Sequence, residues 1–181
     1  MTKYLALLRG INVGGKTKVM MSELKQVFSE LGFKNVQTYI NSGNVLFTTD
    51  QTDILNLQAQ CQAAIAAHFG IEVPVAVLSV TDLATAVSNV SNWWGHDPEV
   101  KHNAIVVIPP TQVETVLGEV VAAKPEYEQV ETWGQVIFWS APIKTFSRTR
   151  WAKVATKASY RKITIRNANT IYKLLKLATE N

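Results

Sequence analysis

The order and periodicity of the apolar runs predict an α+β chain of two tandem βαββαβ subdomains followed by a C-terminal helix. Three observations carry this. Short apolar runs bounded by turn residues alternate with stretches whose apolar residues recur at i, i+3, i+4 and i+7; the same element order is met twice; and an amphipathic stretch follows the second round. Residues 1–80 are expected to form the first subdomain, 81–102 a connecting helix and loop, and 103–181 the second subdomain with basic C-terminal helices.

Residues 4–8 form an unbroken apolar run, the pattern of a strand buried on both faces. Leu24, Val27, Phe28 and Leu31 put one apolar stripe on a helix over 22–31, which Gly32 closes. Strands follow at 36–40 and 45–48, joined by Asn41-Ser42-Gly43-Asn44, whose Asn and Gly tolerate the positive φ of a tight turn. Ile54, Leu57, Cys61, Ala64 and Ile65 mark a helix over 53–69, ended by Gly70, and 73–80 supply the next strand. This is the ferredoxin-like order, two helices on one face of a four-stranded antiparallel sheet. A helix over 82–90 and an irregular loop over 92–98 lead to the second round. There the expected elements are a strand at 104–108, a helix at 112–123, strands at 128–132 and 136–140, a helix at 148–158 and a strand at 163–166. Ile171, Leu174, Leu175 and Ala178 form the stripe of a last helix over 168–179.

With 181 residues, 47% hydrophobic and 18% charged, the chain can bury a core without disulfide or metal staples, which excludes disorder. No apolar run approaches the roughly 20 residues that cross a bilayer, and the opening lacks a secretory cleavage pattern. A cytoplasmic protein with no membrane partner is expected. Cys61 has no second cysteine to pair with, and the three histidines lack zinc-ligand spacing, so neither a metal nor a cofactor is expected. Oligomeric state leaves no mark on the sequence.

The net charge of +4 conceals a division. Residues 1–131 carry eight Lys and Arg against thirteen Asp and Glu, whereas 132–181 carry ten against one, a balance of −5 and +9. Such a run repels itself unless something anionic lies nearby: phosphate, nucleic acid, or the chain's own acidic part. Lys153, Lys157 and Arg161 recur at i, i+4 and i+8 and, with Arg150, make a basic edge on the expected 148–158 helix. Trp133, Trp139, Phe146 and Tyr160 lie among these cations, the mixture that single-stranded nucleic acid uses for stacking and neutralisation. Aromatics of this kind more often fill a core, and the RNA-recognition signature is missing.

Gly10-Ile11-Asn12-Val13-Gly14-Gly15-Lys16-Thr17 matches the P-loop pattern GxxxxGK[ST] directly after a strand. A true P-loop opens a helix at its Lys-Thr pair inside a parallel sheet, whereas here the helix is expected to begin near Ser22 and a hairpin follows. The looser expectation is a glycine-rich turn where Arg9, Asn12, Gly14, Gly15, Lys16 and Lys18 face one anion. Its alternative is a turn that only lets two elements approach. Asn41 and Ser42 stand as candidates beside it, with a turn role as the simpler reading.

The blocks Leu7 to Lys16 and Thr38 to Val45, together with Thr164-Ile165-Arg166-Asn167-Ala168-Asn169-Thr170, carry a resemblance. Nearly end to end, the chain resembles the bacterial family known as domain of unknown function 1697. It departs from the family's frequent Asn at Thr17 and frequent Trp at Ala168. The resemblance implies a small cytoplasmic bacterial protein with no established activity or cofactor.

The last block reads as a strand running into a helix start, with Asn167 as N-cap and Arg166, Asn167 and Asn169 beside the positive helix end as candidate anion contacts. Catalytic signatures are sparse. There is no Gly-x-Ser-x-Gly elbow; His96 and His102 flank a loop with Asp97 and Glu99; Glu126 and Glu128 alternate with no sign of a cleft. The leading expectation is therefore binding of an anionic small molecule or nucleic acid at the glycine turn, the Arg166–Asn167 start and the basic edge. The alternative is an enzyme acting on a small phosphorylated or carboxylated metabolite, with Lys16 or Arg9 orienting the anion.

Overall fold

A computed structural model describes residues 1–180 and shows a mixed α+β chain containing two four-stranded antiparallel sheets. Backbone proximity separates two units, Met1–Asp82 with Leu174–Asn181, and Leu83–Lys173.

In the first unit the order is β1 (Thr2–Leu8), α1 (Met21–Glu30), β2 (Lys34–Tyr39), β3 (Asn44–Thr49), α2 (Ile54–Phe69) and β4 (Val75–Ser79), with strands arranged β2-β3-β1-β4. Successive side chains of a strand point to opposite faces. On one face Tyr4, Ala6, Leu8, Val45, Phe47, Val75 and Val77 therefore meet Leu24, Val27 and Phe28 of α1 and Leu57, Cys61 and Ile65 of α2. Leu5, Leu7, Leu46 and Leu78 on the opposite face are buried as well, which accounts for the unbroken apolar reading of β1. α2 starts where Asp53 accepts the N–H of Asn56 and stops at Gly70, whose φ of 67° is the left-handed cap that glycine adopts without a Cβ penalty.

The second unit begins within α3 (Val80–Asn89) and continues through β5 (Val100–Val107), α4 (Val113–Glu119), β6 (Gln129–Trp133), β7 (Val136–Pro142), β8 (Ile163–Asn167) and the start of α5 (Ala168–Glu180). Its strand order, β6-β7-β5-β8, repeats that of the first sheet. Ile105, Val107, Ile137, Trp139 and Ile163 line the face packed against Val113, Val116 and Val120, together with Trp151 and Val154. On the other face Trp94 lies edge-on to Phe138 at 4.9 Å and beside Tyr172 at 5.5 Å between ring centroids.

One expected element is different. The helix anticipated over 148–158 is a chain of short 3-10 turns, Ile143–Arg148, Trp151–Thr156 and Ala158–Lys162, interrupted by extended backbone at Thr149 and Lys157. Side chains hold its N–H groups at both breaks. Those of Arg150 and Trp151 donate to the Glu128 carboxylate at 2.9 and 3.2 Å, that of Ala152 to Thr149 Oγ1, and that of Ser159 to Glu119 at 2.8 Å. First-turn N–H groups have no i−4 carbonyl in any helix, so these contacts cap each short turn where the extended residues Thr149 and Lys157 restart the chain. Lys153, Lys157 and Arg161 consequently do not share one helical edge.

Candidate functional site

The first unit has an open surface hollow of about 500 Å³ at the glycine turn. Asn12, Lys16, Lys18, Met20, Met21 and Asn41 are among its lining residues. The turn is built by its own hydrogen bonds: Lys16 N–H donates to Val13 O and Asn12 N–H to Thr17 O. Gly14 and Gly15, at φ 61° and 73°, are the two central residues, both in the positive-φ region that a tight type I′ turn demands. The paired glycines thus serve the turn, and α1 begins only at Met21, well past Lys16 and Thr17. The P-loop geometry is absent.

Asn12 braces this loop. Its Nδ2 donates to Val19 O at 2.9 Å and to Asn41 O at 2.8 Å, and its Oδ1 accepts the Val19 N–H at 2.9 Å. Asn12, expected as a ligand contact, lines the cavity and also clamps the glycine turn to the 40–44 turn. Gly43 lets the two approach: at φ +82°, a Cβ there would lie 2.6 Å from Ile11 Cδ1 and 2.8 Å from Leu8 Cβ. Ser42 Oγ accepts from Asn44 Nδ2, consistent with a turn role. Arg9 is half-buried with its N–H on Pro74 O, and neither it nor Gly14 or Ser42 lines the cavity. Lys16 and Lys18 are exposed, and no carboxylate pairs with either among the described residues. Sequence reading missed the apolar side of the cavity, Met20 and Met21, because it sought only anion chemistry.

A second cavity, of about 530 Å³, lies in the other unit, lined by residues 95–98, 100–103 and 167–169. Asn167 caps α5, accepting the Thr170 N–H at 2.8 Å as its N-cap reading expects, and Asn167 and Asn169 both line the cavity. Arg166 does not. Adjacent strand positions face opposite sides, and its buried guanidinium donates to Thr164 Oγ1 at 2.8 Å and to Ile165 O at 2.9 Å. Burial pulls its pKa down to about 10, so it stays charged at neutral pH. His102 was missed as a lining residue. Its Nδ1 lies 2.6 Å from Ser140 Oγ and its Nε2 3.0 Å from Asp97 O, and burial holds its pKa below the ordinary imidazole range. Ser140 itself is buried and does not line the cavity.

The 3-10 segment carries Lys144, Arg148, Arg150, Lys153, Lys157, Arg161 and Lys162. None of these seven forms an ion pair with a carboxylate among the described residues. Arg150 donates to Ala122 O, and Arg148 lies 5.8 Å from the centre of the Tyr127 ring. The second unit holds eleven Lys and Arg against seven Asp and Glu and so accounts for the whole +4, the first unit being balanced at seven and seven. Trp139 and Trp151 are core residues; Trp133 is exposed and donates to Glu131.

The glycine turn and the 38–45 block, packed together here, both lie within the match to the family described as "Protein of unknown function (DUF1697)", which extends over residues 1–138. The chain belongs to the DUF1697 family. The third block, 164–170, lies outside that match. A solved structure titled as the conserved bacterial protein SP0830 from Streptococcus pneumoniae is similar to this DUF1697 chain at 33% identity, covering 97% of each chain with a TM-score of 0.86. The search of curated proteins finds no match.

Proposed function

We propose that this member of DUF1697 is a tandem ferredoxin-like protein that binds an anionic ligand of nucleotide or nucleic-acid type. One observation supports the site above others. Lys16 and Lys18 line one cavity, carry no carboxylate partner among the described residues, and share it with no acidic side chain. Two cations lining one hollow with no acidic side chain leave a positive potential there that favours an anion. The backbone adds support: Asn12, Thr17 and Ile40, three of the four non-glycine residues at positive φ among the described residues, belong to this cavity or directly adjoin its lining residues in sequence. Two of them are β-branched, for which such a conformation is costly, and strain of this kind clusters at ligand sites.

The test is calorimetric titration of the full chain with a nucleoside diphosphate at low and physiological salt. Binding is expected, with loss of at least about tenfold in affinity in Lys16→Ala/Lys18→Ala, since each charge-assisted contact contributes roughly 1.5–3 kcal/mol. No heat at either salt concentration refutes the reading. A second reading, nucleic acid on the 3-10 segment of the other unit, is favoured by its seven cations, none in ion-pair contact with a carboxylate among the described residues, although Glu119 lies close enough to feel Lys157 and Lys162. Salt separates the two. A polyanion bound by several cations weakens steeply and linearly in log salt, whereas a small anion between two lysines gives a shallow slope.

A further inference from the structure

We infer that the cations around the 3-10 segment engage duplex nucleic acid through its phosphates alone, without stacking on bases and without preference for sequence. This rests on the second reading above and adds which form of nucleic acid the surface takes. Although these cations share no helical edge, five of them gather along one stretch of chain, residues 119–127. Lys157 and Lys162 lie close enough to Glu119 to act on its charge, and Arg150 donates to Ala122 O. Lys124 Nζ donates to Arg148 O at 3.3 Å, and the Arg148 guanidinium lies 5.8 Å from the centre of the Tyr127 ring. From Glu119 to Lys162 the chain carries eight Lys and Arg against four Glu, and one of the four, Glu128, is buried with its oxygens on N–H donors. The exposed side of this stretch is therefore positive, a footprint for a line of phosphates.

The aromatic residues among these cations decide the form. Trp139 and Trp151 are 3% and 2% exposed, Phe146 and Tyr160 pack against the same core, and Lys101 Nζ sits over the Phe146 ring at 4.2 Å. Trp133 is exposed, but its indole donates to Glu131, a carboxylate that repels phosphate. No free ring face is left beside the cations for a base to stack on. A flexible single strand held there loses chain entropy with no stacking to offset it. A duplex keeps its phosphates in place before binding and presents one charge per about 1.7 Å of its axis, so several cations meet phosphates at little ordering cost. The segment itself is a chain of 3-10 turns of five or six residues, with no α-helix to lie in a major groove and read base edges. Contacts made only to phosphates carry no sequence information.

The experiment is fluorescence anisotropy of the full chain with two labelled DNA duplexes of unrelated sequence and a thymidine single strand of equal length, over a salt series from about 50 to 200 mM. Inorganic polyphosphate serves as competitor, and the series is repeated with Lys157→Gln/Lys162→Gln. Neither lysine is buried, and circular dichroism checks that the variant is folded. The two duplexes are expected to bind within about twofold of each other and about tenfold more tightly than the single strand. Log affinity should fall linearly with log salt, and the double substitution should flatten that slope by about 2, since each neutralised phosphate contributes about 0.9. A single strand bound as tightly as the duplexes, or a tenfold difference between the two duplexes, overturns this inference while leaving nucleic-acid binding intact. Polyphosphate that displaces the duplex at a lower phosphate concentration than unlabelled duplex does overturns the duplex assignment. An unchanged slope in the variant removes this stretch as the site. No binding of any probe at the lowest salt overturns the second reading and this one together.

Discussion

Glu128 is the residue on which the 3-10 segment is expected to depend. Its side chain is 3% exposed, and its two oxygens accept four N–H groups: those of Lys124 at 3.0 Å, Arg150 at 2.9 Å and Trp151 at 3.2 Å, and the Trp139 indole at 3.1 Å. Glu128→Ala leaves all four without an acceptor. Hydrogen bonds to a charged group contribute about 1.5–3 kcal/mol each, and a buried donor left unpaired costs about 1–3 kcal/mol. Against this, removing the carboxylate recovers the cost of burying its charge, so the net loss expected is about 3–5 kcal/mol. That is a large part of the roughly 5–15 kcal/mol by which a domain is stable. Glu128→Gln keeps one acceptor oxygen but turns an N–H group toward N–H donors, and should lose about 2–3 kcal/mol. Urea unfolding followed by tryptophan fluorescence is the assay. Trp93, Trp94, Trp133, Trp139 and Trp151 all lie between Leu83 and Lys173, so the signal reports the second unit. A loss below about 1 kcal/mol in Glu128→Ala would show that water or neighbouring carbonyls satisfy those donors, and the anchoring role given to Glu128 would fail.

Three more outcomes are expected. Gly43→Ala should lose about 2–4 kcal/mol by thermal or urea unfolding, from the left-handed backbone cost and the contacts with Ile11 and Leu8, whereas Gly15→Ala, with nothing within 4 Å of its would-be Cβ, should lose only about 1–2 kcal/mol; equal losses would remove the packing argument. The depressed pKa of His102 means that the unfolded chain binds its proton first, so this contribution is complete above the ordinary value of about 6.5 and is lost as pH falls through the lower native value, at no more than about 1.4 kcal/mol per pH unit. Melting temperatures between pH 5 and 7.5 should therefore fall more steeply on the acid side in the native protein than in His102→Asn, and parallel curves would contradict this. Asn12→Ala removes three hydrogen bonds tying the glycine turn to Val19 and Asn41, so it should lose about 1–3 kcal/mol and weaken binding of a nucleoside diphosphate, both absent if the clamp is incidental.

The type of most elements was legible because each is written in local periodicity. The stripe Leu24, Val27, Phe28 needs no tertiary information to announce a helix, nor do Gly32 and Gly70 to end one. The N-cap role of Asn167 was equally local, since a cap acts on N–H groups three residues away. The candidate site was only half legible. Lys16, Asn41 and Asn12 could be named as candidates from residue type, but the bracing bonds of Asn12 could not be read there, and Arg166 turned into the protein on the face opposite Asn167.

Sequence alone determined the α+β character, the twofold succession of elements and the concentration of cations toward the C-terminus. The tertiary structure decided which backbone donors each carboxylate captured, the 3-10 path of residues 143–162, and which side chains share a cavity. Periodicity is a property of neighbours along the chain. The capture of Arg150 N–H by Glu128, like the meeting of Asn12 with Asn41, joins residues more than twenty positions apart, and no local pattern encodes a hydrogen bond of that span.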